Sequence, residues 1–350
     1  MKKILVTGGA GFIGSNFLNI MTKKYPEYFF VNVDNLTYAG NMENTLNIDN
    51  LQNYKFIKAD ITEQEVIEGI FEEYNIDTVI NFAAESHVDR SIENPKVFLT
   101  TNVLGTQVLL ECAKKYWSYN PNDKHCTKYK LGSKFIQVST DEVYGELGKT
   151  GLFHETLPLL PNSPYSASKA SADLIVRSYH ETFSLPMNIT RCSNNYGPYQ
   201  FPEKLIPLMI NNCLNNKELP VYGDGLQVRD WLHVSDHCEA INTVLHYGQD
   251  GEIYNIGGNN EKANIDIVKL IINELGKSED LISYVQDRPG HDKRYAIDNT
   301  KISKELGWKP IYTFEEGIIE TIQWYLKNVE WVNNIVSGEY TNYYEKMYQE

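Results

Sequence analysis

The stretch that most constrains this fold is Gly8-Gly9-Ala10-Gly11-Phe12-Ile13-Gly14, which follows the apolar run Lys3 to Thr7 without a spacer. Glycines at this spacing let a chain leave a strand, turn tightly and enter a helix. They also let backbone amides come close to a pyrophosphate. Two registers fit, one using Gly9, Gly11 and Gly14 and the other Gly8, Gly11 and Gly14, and the spacing alone does not choose. A second run of branched and aromatic residues, Phe29 to Val33, ends on Asp34, twenty residues past Gly14. A carboxylate there would accept hydrogen bonds from adenosine ribose hydroxyls and repel a 2′-phosphate, so the expected cofactor is NAD rather than NADP.

The same alternation continues down the chain. Lys55 to Lys58 reads as a strand, Glu63 to Tyr74 as a helix and Thr78 to Phe82 as a strand. That strand runs into Ala83-Ala84-Glu85-Ser86, small residues past which a cofactor could lie close to the backbone. Val97 to Tyr116 is apolar at helical spacing, whereas Trp117 to Gly132 is polar and aperiodic and reads as a surface loop. Lys134 to Val138 and Met187 to Arg191 are further buried strands. Strands alternating with helices specify an α/β doubly wound parallel sheet of the Rossmann type.

Beyond Pro198 the strands shorten and turns multiply, with helices expected at Glu203 to Asn215, Ser235 to Tyr247 and Ile311 to Val329. The expected division is a cofactor domain over residues 1–197 and a smaller interleaved α/β substrate-binding domain over 198–310. Segments near 230–250 and 310–330 would return to the cofactor domain. Tyr340 to Tyr348 is aromatic and charged, and its pattern does not decide between a docked helix and a frayed end.

The chemistry concentrates in two places. Ser139-Thr140-Asp141-Glu142 puts two carboxylates directly after a buried strand, and in an open parallel sheet the carboxyl ends of strands face the ligand. Tyr165 and Lys169 stand at i, i+4 on the next expected helix and share a face. The ammonium would lower the phenol from its free pKa of about 10, making a base for an alcohol proton. Tyr54 and Lys58 match the same spacing, but within a strand.

Composition excludes several classes. A net charge of −14 leaves no basic excess to neutralise nucleic-acid phosphates, so an anionic ligand must meet a local basic cluster. There is no run of eighteen apolar residues to span a membrane. Met1-Lys2-Lys3 is followed by too short an apolar stretch for a signal peptide, and the five cysteines contain no Cys-x-x-Cys. A cytoplasmic protein with reduced thiols is expected. His233 and His237 have a helical spacing, but Val234-Ser235-Asp236 lies between them, with Ser235 as the expected helix cap. No metal site is expected.

The chain resembles the extended short-chain dehydrogenases/reductases and, within them, the dTDP-glucose 4,6-dehydratases. The likeness runs nearly end to end through TGGAGFIGSN, VDNLTYAGN, FAAESHVDRS, VSTDEVYG, PNSPYSASKA, RCSNNYGPYQFPEKLIP, VYGDGLQVRDWLHVSDHC, YNIGGNNEK and DRPGHDKRYAID. It implies the second glycine register, with Gly8, Gly11, Phe12, Ile13 and Gly14 around NAD. Asp34, Asn35, Leu36 and Thr37 would join them, and Asp60 and Ile61 would lie beside adenine. Phe82, Ala83, Ala84, Glu85, Ser86, Thr101, Tyr165, Lys169 and Asn195 would complete that site. The implied reaction dehydrates a nucleotide-diphosphate-glucose to a 4-keto-6-deoxy sugar, a precursor for deoxysugars. In it Tyr165 is the base at the C4 hydroxyl, Lys169 holds the nicotinamide ribose and Thr140 binds the oxygen at C4. Glu142 would be the base at C5, and Asp141 the acid at the C6 hydroxyl.

For the substrate, the resemblance implies Arg229 on the phosphates, with Ser86, Asn194, Lys204, Leu205 and Asn264 nearby. Asp287, Arg288, Pro289, Gly290 and His291 would help form the nucleotide pocket, with Pro220, Val221 and Tyr222 along the base. Arg294 would be structural or peripheral. A homodimer joined through the Val97 to Tyr116 and Tyr165 to Phe183 helices is implied by analogy. Thymidine and uridine diphosphates are not separated by the residues themselves. A nucleotide-sugar 4-epimerase is the alternative enzyme, and a non-catalytic NAD-binding sensor the alternative from another class.

Overall fold

The computed structural model describes residues 2–336; Tyr340 to Tyr348 lies outside them. Seven parallel strands form the main sheet. In chain order they are β1 (Lys3–Thr7), β2 (Phe29–Asp34), β3 (Tyr54–Lys58), β4 (Thr78–Asn81), β5 (Lys134–Thr140) and β6 (Met187–Cys192), followed much later by the seventh, Ile253–Ile256. The spatial order is β3-β2-β1-β4-β5-β6 and then Ile253–Ile256, which pairs in parallel with β6. The direction of winding reverses between β1 and β4, which opens a crevice at the carboxyl ends of these strands.

Both faces of this sheet are covered, as the near-continuous apolar strands require. Ile4 and Val6 point into one core with Phe30, Ile80, Ile136 and Val138. Leu5, between them, points into the other with Val31, Val33, Val79 and Phe135. The period of two therefore feeds two cores from each strand.

A second, smaller unit follows β6. It contains β7 (Asn194–Tyr196), β8 (Leu219–Tyr222), β9 (Val228–His233), the strand Glu261–Ala263 and the strand Ile282–Val285. β9 lies between β7 and Glu261–Ala263, while β8 pairs with Ile282–Val285. Its core holds Ile206, Met209, Val221, Trp231, Ile267 and Ile271.

The two units interleave. The helix Val234–Tyr247 packs on the first helix, Phe12–Lys24, and shares its core. Of the return expected at 310–330, the helix Phe314–Lys327 instead fills the second core through Phe314, Ile318 and Ile322. The chain reaches back to the cofactor unit just beyond it, at Trp331, whose Nε1 donates to Asn44 Oδ1 at 2.8 Å. A further difference lies at the 234–247 helix. Its cap is His233, whose Nδ1 accepts from Ser235 N at 3.3 Å, so Ser235 sits inside the helix. The loop read at Trp117 to Gly132 is irregular apart from a bridge between Ser118 and Tyr129.

Candidate active site

The glycine loop turns where β1 ends. Gly8 has φ +69°, and a Cβ there would stand 2.6 Å from Ala83 N. At Gly14 a Cβ would collide with the Gly8 carbonyl oxygen. Only glycine permits this approach. Gly8, Gly11 and Gly14 all line the crevice, while Gly9 packs against Asn32, so the register is the one beginning at Gly8. The helix Phe12–Lys24 starts at Gly11 with no side chain capping it, which suits an anionic group at its N-terminus.

Asp34 closes this end. Its Oδ2 accepts from Ala10 N at 2.9 Å and its Oδ1 from Leu36 N at 2.8 Å. Burial raises its pKa, and the two amides oppose the rise. Leu36, at φ +55°, thus serves through its backbone and does not line the crevice as expected. Asn35 and Thr37 do line it. So do Asp60, Ile61, Thr101 and Asn195, together with the run Phe82, Ala83, Ala84, Glu85 and Ser86. Asn194 Oδ1 and Gln200 Oε1 are buried without a protein partner on the same wall. A glycine cradle, an uncapped helix start, an acid after β2 and unmatched amide oxygens fit a dinucleotide.

The crevice continues to the carboxylates. β5 ends on Thr140, whose Oγ1 accepts from Glu142 N at 3.3 Å and so caps the short turn Asp141–Tyr144. Asp141 is 1 % exposed; Thr140 Oγ1 donates to its Oδ1 at 3.3 Å, and its Oδ2 has no partner. Burial, then the charges of Glu142 and Asp230, push its carboxyl well above the usual range. Burial also raises Glu142, but Arg288, Arg229 and Lys204 act against the rise. Two neighbouring acids therefore meet unlike environments, a pattern that separates an acid from a base.

The helix Pro164–Phe183 brings Tyr165 and Lys169 to the same wall. It starts with a capping box between Ser163 and Ser166 and with Pro164 in its first turn. Lys169 Nζ donates to Val138 O at 2.7 Å. The Tyr165 phenol is pushed well above its ordinary value by burial, followed by Glu142, Cys192 and Asp141; a hydrogen bond with Thr140 opposes this. Burial is the largest of these influences on the phenol. The Lys169 ammonium keeps two N–H donors beyond the one given to Val138 O, and burial pushes its pKa down.

Beyond the carboxylates the second unit adds cations. Lys204 Nζ donates to Ser86 O at 2.9 Å. Arg229 is 5 % exposed and lies 4.3 Å over the Tyr295 ring, with its Nη1 and Nη2 donating to Val228 O and Asp292 O. It is not a surface partner of Asp224 or Asp230. Arg288 pairs with Asp89 at 3.0 Å, and the Tyr222 hydroxyl donates to the same carboxylate. His291 meets Tyr222 edge-on and holds Asp287 through Nδ1 at 2.6 Å.

Other expected substrate residues are placed differently. Pro220 and Val221 are buried, Val221 in the second core, and Leu205 packs against that core; only Tyr222 of β8 reaches Asp89. Asn264 begins the helix Asn264–Glu274 with its Oδ1 buried and unpartnered. Pro289 and Gly290 form the turn between Arg288 and His291, and Gly290 has φ +66°. Arg294 forms a two-pronged pair with Glu261, away from the crevice.

Sequence reasoning missed Asp89, and also Tyr38, Arg90 and Glu203. Tyr38 OH donates to Glu203 Oε1 at 3.0 Å, and Arg90 stacks 3.9 Å over the Tyr38 ring. These residues stand inside VDNLTYAGN, FAAESHVDRS and the Gln200-Phe201-Pro202-Glu203 stretch, but only the fold makes them neighbours. Among the described residues no cluster of His, Cys, Asp or Glu is placed to hold a metal ion.

The chain matches the family described as GDP-mannose 4,6 dehydratase over residues 5–321. It is 53 % identical to the dTDP-glucose 4,6-dehydratase of Xanthomonas campestris, covering 97 % of each chain. The chain belongs to the dTDP-glucose 4,6-dehydratase family. A solved dTDP-glucose 4,6-dehydratase from Bacillus anthracis in complex with NAD is 54 % identical and superposes with a TM-score of 0.86. That match covers 96 % of this chain and all of the other. The UDP-glucose 4-epimerase of Thermotoga maritima, solved with UDP-glucose, has a similar fold, with a TM-score of 0.83 over 93 % of this chain and 99 % of that one, but is only 31 % identical.

Proposed function

We propose that this protein converts dTDP-glucose to dTDP-4-keto-6-deoxyglucose as an NAD-dependent 4,6-dehydratase. The observation that carries this is the pair of Asp141, buried, and Glu142, partly buried, standing beside Tyr165 in one crevice with the glycine cradle. An epimerase has no step that needs two carboxylates. NAD, held by the glycine loop, Asp34 and Lys169, supplies a hydride acceptor at C4 and a hydride donor at C6. Tyr165 takes the proton of the C4 hydroxyl, with Thr140 in hydrogen-bonding reach of the phenol to favour its ionised form.

Oxidation at C4 acidifies the hydrogen at C5. Glu142, kept ionisable by Lys204, Arg229 and Arg288, removes that proton. Asp141, held protonated by burial, gives its own proton to the C6 hydroxyl, which departs as water. One proton is taken, one is given, and the double bond left between C5 and C6 is saturated when the hydride returns to C6 and Glu142 gives its proton back to C5. The same three cations suit the diphosphate of the substrate.

We place the reaction in the cytoplasm, which the five unpaired, buried cysteines support. We also infer a homodimer through the helices near Val97 to Tyr116 and Tyr165 to Phe183. There Leu99, Leu104 and Leu174 are each more than half exposed (52 %, 55 % and 54 %) on neighbouring segments. Separate incubations with dTDP-glucose and UDP-glucose test the function. A 4-keto-6-deoxy product from dTDP-glucose is expected, whereas a C4 epimer, or turnover of UDP-glucose alone, would sink the reading.

A further inference from the structure

The glycine loop is held from a place far away in the sequence. Ala10, in its middle, is pinned on both sides of its peptide units. Its N–H donates to Asp34 Oδ2 at 2.9 Å. Its carbonyl oxygen accepts from Asn44 Nδ2 at 2.8 Å and from Asn41 N at 3.0 Å. Asn44 is 2 % exposed and turns its other amide atom, Oδ1, to Trp331 Nε1 at 2.8 Å. Each polar atom of that buried amide therefore has one partner, and the two partners lie on opposite sides of it.

Trp331 is itself fixed. It is 7 % exposed and meets Tyr199, Trp324 and Tyr325 edge-on or tilted. Tyr325 OH donates to Gln200 O at 2.6 Å, and Gln200 lines the crevice. A primary amide left without its acceptor-side partner can rotate or flip, which would exchange its NH2 for its oxygen toward Ala10 O. Two oxygens would then face each other, and the loop peptide would have to move. The indole N–H therefore sets which way the Asn44 amide points, since an indole can only donate.

We propose that Trp331 is a positioning residue for the cofactor site. By donating to Asn44 Oδ1 it orients the Asn44 amide toward Ala10 O and so holds the glycine loop in its binding shape. This rests on the reading of the loop as the NAD site, and it adds a control point in the last described helix, Val329–Ile335. The relay acts on the cofactor end alone, because neither Trp331 nor Asn44 touches Asp141, Glu142, Arg229 or Arg288.

The test measures equilibrium binding of NAD and, separately, of dTDP to wild type and three variants, with thermal melting alongside. Trp331→Phe keeps a ring but loses the donor. Asn44→Asp keeps the acceptor for the indole and loses the donor to Ala10. The third variant combines both. Each single change should weaken NAD by about three- to tenfold, the size of one net hydrogen bond. The double variant should be no weaker than the worse single one, since both cut one relay. Affinity for dTDP should stay within twofold of wild type, an approximate bound for an untouched site.

A lowered melting temperature with NAD affinity unchanged would overturn the proposal, since Trp331 would then be a packing residue only. Equal losses of NAD and dTDP affinity would overturn it too, as would strictly additive losses in the double variant. If wild type binds dTDP but no NAD, the cofactor reading itself fails, and that result is distinguishable from failure of the relay.

Discussion

The two ends of the crevice are built by different means. At the glycine end the backbone supplies the site: Gly8, Gly11 and Gly14 give closeness, and the helix start gives amides. One acid there, Asp34, accepts from two amides of its own neighbourhood, while Asp60 and Glu85 line the same crevice. At the sugar end side chains supply it, and they come from both units. Asp141, Glu142, Tyr165 and Lys169 come from the main sheet and its helix, whereas Lys204 comes from beyond β6, as do Arg229 and Arg288, which act on Glu142 through their charge without lining the crevice. The first end therefore needs space and dipoles, and the second needs charges whose balance is set by burial. The glycine end should be sensitive to shape, and the carboxylate end to charge.

The largest effect expected from that contrast is at Glu142. Glu142→Gln keeps the size and removes the basicity, so C4 oxidation should survive while elimination slows. Turnover should fall by roughly 10²–10⁴-fold, the usual worth of a general base. Absorbance of reduced nicotinamide should build up on mixing with substrate, and solvent deuterium should enter C5 far more slowly. Tyr165→Phe should show neither reduced cofactor nor product. Near-normal turnover of Glu142→Gln would remove Glu142 from the C5 step.

A truncation at the other end should do less. Asp34→Ala takes away a ribose acceptor and also releases Ala10 N, so NAD should weaken by about tenfold, one to two hydrogen bonds' worth. Its margin over NADP should narrow as well. Titrating both dinucleotides into the apoprotein checks this, and an unchanged preference would move the selectivity away from Asp34.

The smallest effect concerns stability, with a sign fixed by burial. The folded Asp141 carboxyl has its pKa raised above the unfolded value of about 3.9. Its contribution is then most favourable below that value and is lost as pH rises through the folded pKa. Asp141→Asn cannot ionise, so folding no longer requires the uptake of a proton near neutral pH. The variant should be the more stable protein there, by something of order 1 kcal/mol for each pKa unit of the rise. The gap should shrink toward pH 4. Melting curves across that range decide the matter: a wild type that is the more stable at every pH would mean that Asp141 is paired, not stranded.

Much of the fold could be read from local pattern. Alternating strands and helices up to Cys192 announced the parallel sheet, because a period of two and a period of 3.6 are local properties. The loop at Gly8, the acid at Asp34, the pair after β5 and the Tyr165 helix were equally legible, since each is a motif within one connection. Pro220 and Val221 were harder to read for the opposite reason. Nothing in Leu219–Tyr222 says which face of a short strand will meet a ligand, and the second core claimed Val221. The Ser235 cap failed because His233, one residue before the helix, could offer an imidazole nitrogen that competes for the same amide.

What the sequence by itself determined was the set of chemical groups and the elements that bear them: a glycine turn, two acids after a strand, and a tyrosine and lysine on one helix face. The tertiary structure alone decided their states. Lys169 lies four residues from Tyr165 and donates one hydrogen bond to Val138 O, while burial and then Glu142 are the largest influences on the phenol. Asp141 and Glu142 are adjacent in sequence, but one is stranded in the interior and the other faces three cations from a distant part of the chain. Burial and long-range charge depend on distances that only folding sets, and so does the reach from Trp331 to the glycine loop.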